Sequence, residues 1–304
     1  MNKFLLKIVS LGCIIGITYL LLGYLADGKT DPFYLRFTSK KQHSLIIGTS
    51  RAAQGIVPKV LNKILNKEKF EGPIYNYSFT VLHSPFGEIY YKAIKAKIDK
   101  STKKGLFIIS IDPWSIGSRT DLNYFRETKM ELAKINTYNK YPNYNYLNNA
   151  YQGSYFHLLK NKIIHDDKVF LHDDGWLEVS LVLTPELIKK GKKQKINNYK
   201  TRELPNYKIS LERIEYVEKT IQLLKKYGQV ILVRLPVDER MLAVEQLLDP
   251  VFNQRIKKLG EKYECQVLVY NDENYLFPDG NHLYKESGKL FSIKLANAIN
   301  SIIE

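Results

Sequence analysis

The sequence predicts an α/β protein in which a mostly parallel, five-stranded sheet lies between two layers of helices, a three-layer, doubly wound arrangement. Two observations predict it: five short apolar runs of strand character and the helical patterns between these runs. One long apolar segment precedes this domain near the N-terminus and predicts a transmembrane helix. The chain has 304 residues and is 44% hydrophobic, which is enough for a sizeable core in one large or two small domains.

The N-terminal apolar segment predicts a transmembrane helix. From Phe4 to Leu25 almost every residue is apolar, and a helix of that length would rise about 33 Å at ~1.5 Å per residue, enough to cross a bilayer. Lys3 and Lys7 lie at its front end, so the positive-inside tendency places the N-terminus in the cytoplasm. Everything after Asp27 would then be extracytoplasmic, in the periplasm or at the cell surface.

The domain organisation follows from this segment. We expect residues 1–30 to form a retained membrane anchor and residues 31–304 to form the α/β domain. A cleaved signal peptide is the alternative, although the apolar run exceeds the usual signal core of about 7–15 residues. A lipid anchor at Cys13 is disfavoured because apolar residues continue well past it, and the remaining cysteine, Cys265, has no partner in the domain for a disulfide.

The net charge of +15 favours anionic partners. Acidic polysaccharides, teichoic polymers and lipid headgroups fit an extracytoplasmic domain, whereas nucleic acid fits only if the topology is reversed. The lysine-rich stretch at 189–195 either contributes to an anion-binding surface or is a solvated loop, and its sequence fits both interpretations.

The five apolar runs have the continuous hydrophobicity of buried parallel strands. They are HSLIIG at 43–48, PIYNYS at 73–78, GLFIISI at 105–111, QVILVRL at 229–235 and QVLVY at 266–270. Helical patterns occur at about 58–67, 84–99, 209–227, 241–262 and 284–303. Ser84 and Pro85 suit a helix start, and Gly228 suits a helix end. This alternation predicts a flavodoxin-like sheet, with functional groups gathered at the carboxyl ends of the strands.

A long insertion, at about 112–206, interrupts the alternation. Its middle is crowded with tyrosine and asparagine and contains few aliphatic residues. We expect a packed lid or loop cluster. A carbohydrate-stacking surface is the alternative, because tyrosine offers an apolar face with a hydroxyl rim. The tyrosines concerned are Tyr138, Tyr141, Tyr144, Tyr146, Tyr151 and Tyr155.

The first strand runs into Gly48-Thr49-Ser50, a turn suited to exposing a nucleophile. A tight strand-to-helix turn would point the Ser50 hydroxyl into the crevice, and the Ser50 amide would help to bind an oxyanion. The glycine spacing of a dinucleotide-binding loop and the Gly-Lys-Ser/Thr of a P-loop are both absent from this turn. A serine after a strand is more often a simple turn or cap residue, so this signal is weak by itself.

A second signal lies near the C-terminus, where Asp279 and His282 follow the last strand with two residues between them. One turn can bring both side chains to the same edge of the sheet. The carboxylate would then fix the imidazole tautomer, and the other ring nitrogen would address Ser50. A loop aspartate and a helix-capping histidine are the alternative interpretation.

Together these two segments resemble the SGNH (GDSL-like) hydrolase superfamily. In that family a Gly-Asp-Ser block supplies the nucleophile, and an Asp-x-x-His block before the last helix completes the triad. The turn at 48–50 matches the first block with Thr49 in place of the aspartate, and residues 279–282 match the last block. The resemblance covers about 43–110 and 229–304, and it implies a serine acyl-ester enzyme without a cofactor.

The middle blocks of the family are not matched. The family takes one oxyanion donor from a glycine amide after the second strand and another from an asparagine side chain after the third. The chain offers Asn76, Ser78 and Thr80 at the first place and Asp112 at the second, where an ionised carboxylate would only accept hydrogen bonds. Arg51 either pairs with an anionic acceptor or lies along the helix surface. These five residues are the oxyanion and substrate candidates.

Histidine and aspartate also cluster around HDDKVFLHDD at 165–174. The cluster lacks a regular ligand spacing, so we expect solvated charge and no metal site. The residues considered are His157, His165, His172, Asp166, Asp167, Asp173 and Asp174. Trp114 and Trp176 are expected to be hydrophobic plugs.

The chain looks like a narrower group within the superfamily, the membrane-anchored proteins of envelope polymer modification, which often work beside a membrane-bound O-acyltransferase. This resemblance implies esterase or acyltransferase action, with acetyl as the expected group, on an envelope polysaccharide. Ser50 would attack the ester, His282 would carry the proton and Asp279 would orient the imidazole. The alternative is a non-catalytic envelope component that binds polymer or the acyltransferase in the same crevice.

Overall fold

A computed structural model describes residues 2–80, 85–120, 131–163, 168–271 and 274–303. The strands are β1 (Ser44–Ile47), β2 (Ile74–Asn76), β3 (Gly105–Ser110), β4 (Gly117–Arg119), β5 (Val169–Leu171), β6 (Leu177–Val179), β7 (Tyr207–Ile209), β8 (Gly228–Arg234) and β9 (Gln266–Val269). The α-helices are α1 (Asn2–Gly23), α2 (Tyr34–Thr38), α3 (Ser50–Gly55), α4 (Pro58–Ile64), α5 (Glu88–Lys97), α6 (Tyr144–Asn149), α7 (Tyr155–Ile163), α8 (Pro185–Asn198), α9 (Leu211–Leu224), α10 (Glu239–Leu248), α11 (Phe252–Tyr263) and α12 (Lys285–Ile303).

The main sheet is parallel and has the strand order β2-β1-β3-β8-β9. The sequence prediction of a five-stranded, mostly parallel sheet in an α/β fold is therefore confirmed. Strand β1 lies inside the sheet, between β2 and β3, and its residues are apolar and completely buried on both faces, with Leu45 and Ile47 on one face and Ile46 on the other. Two short antiparallel pairs, β4 with β7 and β5 with β6, lie outside this sheet.

Helices cover both faces of the sheet. Alternate side chains of β3 belong to two separate apolar clusters, because successive residues of a strand point to opposite sides. Phe107 and Ile109 pack with α5, α9 and α11 on one face. Leu106 and Ile108 pack with α3, α4 and α12 on the other face. Burial of each such side chain contributes about 1.5–3 kcal/mol, so both layers stabilise the sheet.

Two helices differ from their predicted bounds. The single helix predicted at 241–262 is divided into α10 and α11, because Pro250 lacks an amide hydrogen and disfavours helical geometry at Asp249. The Asp249 carboxylate accepts a hydrogen bond from the amide of Val251 at 3.3 Å, which supports the break. Helix α5 begins at Glu88, and the predicted cap residue Ser84 lies outside the described residues.

Helix α1 contains the apolar N-terminal segment. Within the described part of the chain, one helix, Lys3–Gly23, is long and apolar enough to cross a membrane, with a mean hydropathy of 2.2. Its apolar side chains are exposed rather than packed in the core. Cys13 is exposed on this helix, whereas Cys265 is partly buried.

The tyrosine-rich part of the insertion packs against the N-terminal helices. Tyr146 is buried with Tyr34 and Phe37, with ring centroids 5.6 and 4.8 Å away. The Tyr144 hydroxyl donates to the carbonyl of Leu20 in α1 at 2.6 Å. Tyr144 and Tyr146 therefore contact the protein's own α1 and α2, whereas the side chain of Tyr141 is 50% exposed.

Candidate active site

Ser50 is positioned by a close approach of β1 to β3. A Cβ atom at Gly48 would lie 2.8 Å from the Cβ of Ser110, so only glycine fits immediately after β1. Thr49 is extended, and its hydroxyl donates to Asp112 Oδ2 at 3.3 Å. Helix α3 then begins at Ser50 itself. The Ser50 hydroxyl is thereby held at the edge of the sheet where the parallel strands end, which is where the sequence predicts functional groups.

His282 links Ser50 to Asp279. The imidazole Nε2 lies 2.9 Å from Ser50 Oγ, and Nδ1 lies 2.8 Å from Asp279 Oδ2. An ionised carboxylate only accepts, so Nδ1 carries the proton and Nε2 has a lone pair that accepts the Ser50 hydroxyl hydrogen. The structure brings the three predicted triad residues into this order.

The Asp279 carboxylate also shapes the turn that carries His282. Its Oδ1 accepts hydrogen bonds from the amides of Asn281 and His282, both at 2.9 Å, and Gly280 between them adopts a left-handed φ of 79°. Burial opposes ionisation of this carboxyl group, but the hydrogen bond from His282, the electrostatic attraction between the two side chains and the two amides together outweigh burial. The pKa of Asp279 therefore lies well below its ordinary value, and the group stays ionised.

Asn281 is a site residue that the sequence analysis did not single out. Its side-chain Nδ2 lies 3.2 Å from His282 Nε2, beside the Ser50 hydroxyl. Its Oδ1 accepts hydrogen bonds from Nε and Nη2 of Arg51 at 3.1 and 2.6 Å. The signal in the sequence was its place inside the Asp-x-x-His block, next to the histidine.

Arg51 has neither of the two predicted roles. Its side chain is 5% exposed, so it does not lie on the helix surface. Its Nη1 forms an ion pair of 2.6 Å with Glu245 Oε1, so the guanidinium group is already bound to a carboxylate of the protein. Glu245 Oε2 in turn binds Nη2 of Arg234 at 2.7 Å, and Asp112 Oδ2 lies 4.0 Å from Arg51. Two guanidinium groups thus face two carboxylates in the core below the site.

The pKa shifts in this network follow from burial and pairing. Burial alone would lower the pKa of Arg51, but its attraction to Glu245 and Asp112 raises it, so the guanidinium stays charged. Burial raises the pKa of the Asp112 carboxyl, and Arg51 offsets only part of this effect. The Asp112 Oδ1 also accepts the amide of Ser115 at 2.9 Å, so the side chain holds the turn after β3.

Two predicted oxyanion candidates have their donors engaged elsewhere. Asn76 Nδ2 donates to the carbonyls of Ala52 and Ile56 at 2.8 and 2.9 Å. The Ser78 amide donates to Asn76 Oδ1 at 3.1 Å, and its hydroxyl donates to the carbonyl of Ile46 at 3.4 Å. Both residues are completely buried, and their hydrogen bonds support the ends of the strands. Asn76 and Ser78 therefore do not have the predicted role of oxyanion donors.

Other hydrogen-bond donors near Ser50 include its own backbone amide and the side chain of Asn281, in the turn that contains Asp279. The amide of Ser50 lies in the first turn of α3, where helical amides have no carbonyl within the helix to bind. Thr80 is partly buried and is the last described residue before the gap at 81–84. The site is therefore built from the start of α3 and from the Asp279 turn.

A cavity of about 260 Å³ opens beside Asp279 and His282. Its other walls include Val179, Leu181 and Leu283, so much of its lining is apolar. An apolar space next to the imidazole that contacts Ser50 suits the acyl portion of an ester.

Helix α8 contains the lysine-rich stretch and packs against the Asp279 turn. A Cβ atom at Gly191 would lie 2.8 Å from the carbonyl oxygen of Pro278, and Ile196 contacts Gly280. Lys192 pairs with Asp238 at 2.8 Å. The interpretation of residues 189–195 as a loop is therefore wrong, and the exposed lysines Lys189, Lys190 and Lys193 project from a helix next to the site.

Two of the histidines considered for a metal site have partners close in the sequence. His172 Nε2 contacts Glu178 at 2.9 Å, and His157 Nδ1 contacts the Ser154 hydroxyl at 2.9 Å. Within the described ranges, no group of three or more potential ligands has metal-binding geometry. The residues outside the described ranges are His165, Asp166 and Asp167.

Both tryptophans are nearly buried. Trp176 Nε1 donates to the carbonyl of Gln54 in α3 at 2.9 Å, which attaches the β5–β6 pair next to the Ser50 helix. Trp114 makes edge-to-face contacts with Tyr199 and Tyr207. Trp176 thereby joins the insertion to the sheet domain, whereas Trp114 packs against the end of the insertion.

No protein-family model matches the chain, and no curated protein matches it. The functional argument therefore depends on the geometry around Ser50.

Proposed function

We propose that this chain is a membrane-anchored serine esterase or O-acyltransferase of the SGNH-like type, with a doubly wound, flavodoxin-like domain. Its substrate would be an acyl ester, with acetyl as the expected group, on an envelope polysaccharide or related polymer. The observation that carries the proposal is the contact of His282 with Ser50 at 2.9 Å and with Asp279 at 2.8 Å.

The proposed reaction has two halves. Ser50 Oγ attacks the ester carbonyl while His282 Nε2 takes its proton, and Asp279 stabilises the resulting imidazolium. The tetrahedral intermediate then expels the alcohol, which receives the proton from His282, and an acyl-serine remains. Water in the second half gives an esterase, and a sugar hydroxyl gives a transferase. In either case His282 takes the proton of the incoming hydroxyl and returns it to Ser50.

Two donors support binding of the oxyanion. The Ser50 amide lies at the start of α3, and Asn281 Nδ2 lies 3.2 Å from the imidazole nitrogen that contacts Ser50. Arg51 holds the Asn281 side chain by two hydrogen bonds, so this donor is preorganised. These groups would take the place of the donors that the family provides after its second and third strands.

The surroundings of the site support the choice of substrate. The apolar cavity of about 260 Å³ beside His282 has room for a short acyl group. Exposed lysines on α8 lie next to the Asp279 turn and favour an anionic polymer. Lys3 and Lys7 at the start of α1 favour a cytoplasmic N-terminus, so the domain would be extracytoplasmic.

The full-length chain in detergent, treated with a fluorescent fluorophosphonate, tests this proposal. Such probes form a covalent bond only with an activated serine. We expect labelling at Ser50 that is lost in Ser50→Ala and His282→Ala. The matched controls Ser101→Ala and His157→Ala should be labelled like the wild type. Absence of labelling in the folded wild-type chain would contradict the proposal.

The second candidate function is that of a non-catalytic envelope component. It is favoured by the lack of free donors, among the described residues, at the positions where the family has its oxyanion hole. The donors of Asn76 and Ser78 are already bound to the protein, and Asp112 replaces a donor after β3. Under this alternative the crevice binds polymer or a membrane-bound O-acyltransferase without chemistry. A Ser50→Ala strain that retains wild-type acylation of its surface polymer would favour it over the enzyme.

A further inference from the structure

The last turns of α1 are tied to the insertion by tyrosines. The Tyr19 ring lies 5.5 Å from the ring of Tyr144 and 4.8 Å from that of Tyr155, centroid to centroid. The Tyr141 hydroxyl donates to the carbonyl of Tyr24 at 2.7 Å. Tyrosine is typical of membrane interfaces, because its ring can lie among apolar chains while its hydroxyl binds a polar group.

These contacts fix the level of helix α7 relative to the segment of α1 that would span the membrane. The 21 residues from Lys3 to Gly23 rise about 31 Å as a helix, close to the ~30 Å of a hydrocarbon core. Tyr19 lies about 6 Å before Gly23 along the axis. Tyr155, at the start of α7, contacts Tyr19 and therefore lies at the level where the span ends. Lys162, near the end of α7, pairs with Asp27 beyond the span.

One side of α7 is apolar and exposed. Phe156, Leu159 and Ile163 are 68%, 41% and 72% exposed, and their spacing places them on one side of the helix. Leu158 on the inner side is buried in the main core, so the helix is firmly attached. An exposed phenylalanine one residue from Tyr155 would meet lipid at this depth.

We propose that helix α7 is a second membrane contact of this protein, an inference that rests on the proposed role of α1 as the membrane anchor. Phe156 and Leu159 insert among the headgroups and upper acyl chains of the bilayer that α1 crosses. Lys160, which is also exposed, reaches the lipid phosphates. Continuity with α1 identifies lipid as the occupant of this side, because α1 and the start of α7 occupy the same level. Contact of α7 with the bilayer would set the orientation of the α/β domain relative to the membrane.

Site-directed spin labelling of the full-length chain tests this proposal. Cys13→Ala and Cys265→Ala remove the native thiols, and nitroxides are attached through Phe156→Cys, Ile163→Cys or Leu247→Cys. The chain is reconstituted in phosphatidylcholine vesicles that contain phosphatidylglycerol, and collisions with oxygen and with a water-soluble nickel chelate are compared. We expect an oxygen-to-nickel ratio at 156 severalfold above that at 247, with 163 between them.

Two results would overturn the proposal. A ratio at 156 equal to that at 247 would place the start of α7 in water. Low collision rates with both reagents at 156 would show that a second copy or another membrane protein covers the face. A label at Leu159→Cys provides a further check, because Phe156→Asp should lower its ratio while Leu247→Asp should not. Circular dichroism confirms that each variant is folded, which is expected because Leu158 still packs in the core.

Discussion

Arg51 and Asn281 form a direct link between the two halves of the candidate site. Two nitrogens of the Arg51 guanidinium donate to a single oxygen of Asn281, at 3.1 and 2.6 Å. The residue after Ser50 therefore positions the residue before His282. The hydroxyl and the imidazole are held together by this side-chain pair as well as by the sheet.

Replacement of Asp279 by asparagine should inactivate the site without unfolding it. An asparagine oxygen can still accept the two turn amides, but its NH₂ group would face His282 Nδ1 and favour the wrong tautomer. We expect ester hydrolysis to fall by about 10³–10⁴-fold, as in other serine triads. Hydrolysis of p-nitrophenyl acetate by the full-length chain measures this. Asp173→Asn, an exposed control, should retain wild-type activity; equal rates in the two variants would refute the role of Asp279.

Replacement of Asn281 by alanine tests the side-chain oxyanion donor. Loss of one preorganised donor typically lowers kcat by about 10²–10³-fold. The effect should appear in kcat more than in KM, because the oxyanion forms only in the transition state. Asn274→Ala, an exposed neighbour on the same loop, is the matched control. An unchanged kcat for Asn281→Ala would remove this residue from the proposed mechanism.

Loss of the Arg51 charge should destabilise the fold. Arg51→Met leaves the buried carboxylates of Glu245 and Asp112 with one cation, Arg234, and removal of one partner from a buried pair costs about 3–5 kcal/mol. The exposed Lys92–Glu88 pair is the control, and Lys92→Met should cost less than about 1 kcal/mol. Denaturant unfolding in detergent measures both free energies. Equal losses would show that the buried network contributes no more than a surface pair.

The Lys97 ammonium gives a pH dependence of stability. Burial lowers its pKa from 10.5 to about 7, although its Nζ donates to Ser39 and Asn139. Between these two values the unfolded chain binds a proton that the folded chain has released, so the free energy of unfolding rises with pH in this window. Each unit of pKa difference corresponds to about 1.4 kcal/mol. Lys97→Met should therefore flatten the rise between pH 7 and 10 by a few kcal/mol, as measured by denaturant titration, whereas exposed Lys95→Met should not.

The sheet could be predicted from the sequence because each strand is marked by a local run of apolar residues. The run at Leu45–Ile47 is apolar on both faces in any context, and such runs rarely form anything except a buried strand or helix. The juxtaposition of Ser50 with Asp279 and His282 also followed from a simple rule, since the carboxyl ends of parallel strands share one edge. Their contact is present, and their catalytic roles remain predictions.

The buried environment of Arg51 could not be predicted from the sequence. A charged residue is ordinarily solvated, and its burial depends on partners that only the tertiary fold supplies, here Glu245 on α10. The tyrosines of the insertion were ambiguous for the same reason, because their packing surface is α1, which lies far away in the sequence. Patterns along the chain contain little information about such long-range pairs.

The distance along the chain between Ser50 and His282, 232 positions, has a consequence for biogenesis. The Ser50 hydroxyl is made early in synthesis, whereas the imidazole that contacts it lies in one of the last segments of the chain to be made. A polypeptide halted partway through synthesis would lack the contact between Ser50 and His282, so under the proposed mechanism its serine would be unreactive until the chain is almost complete.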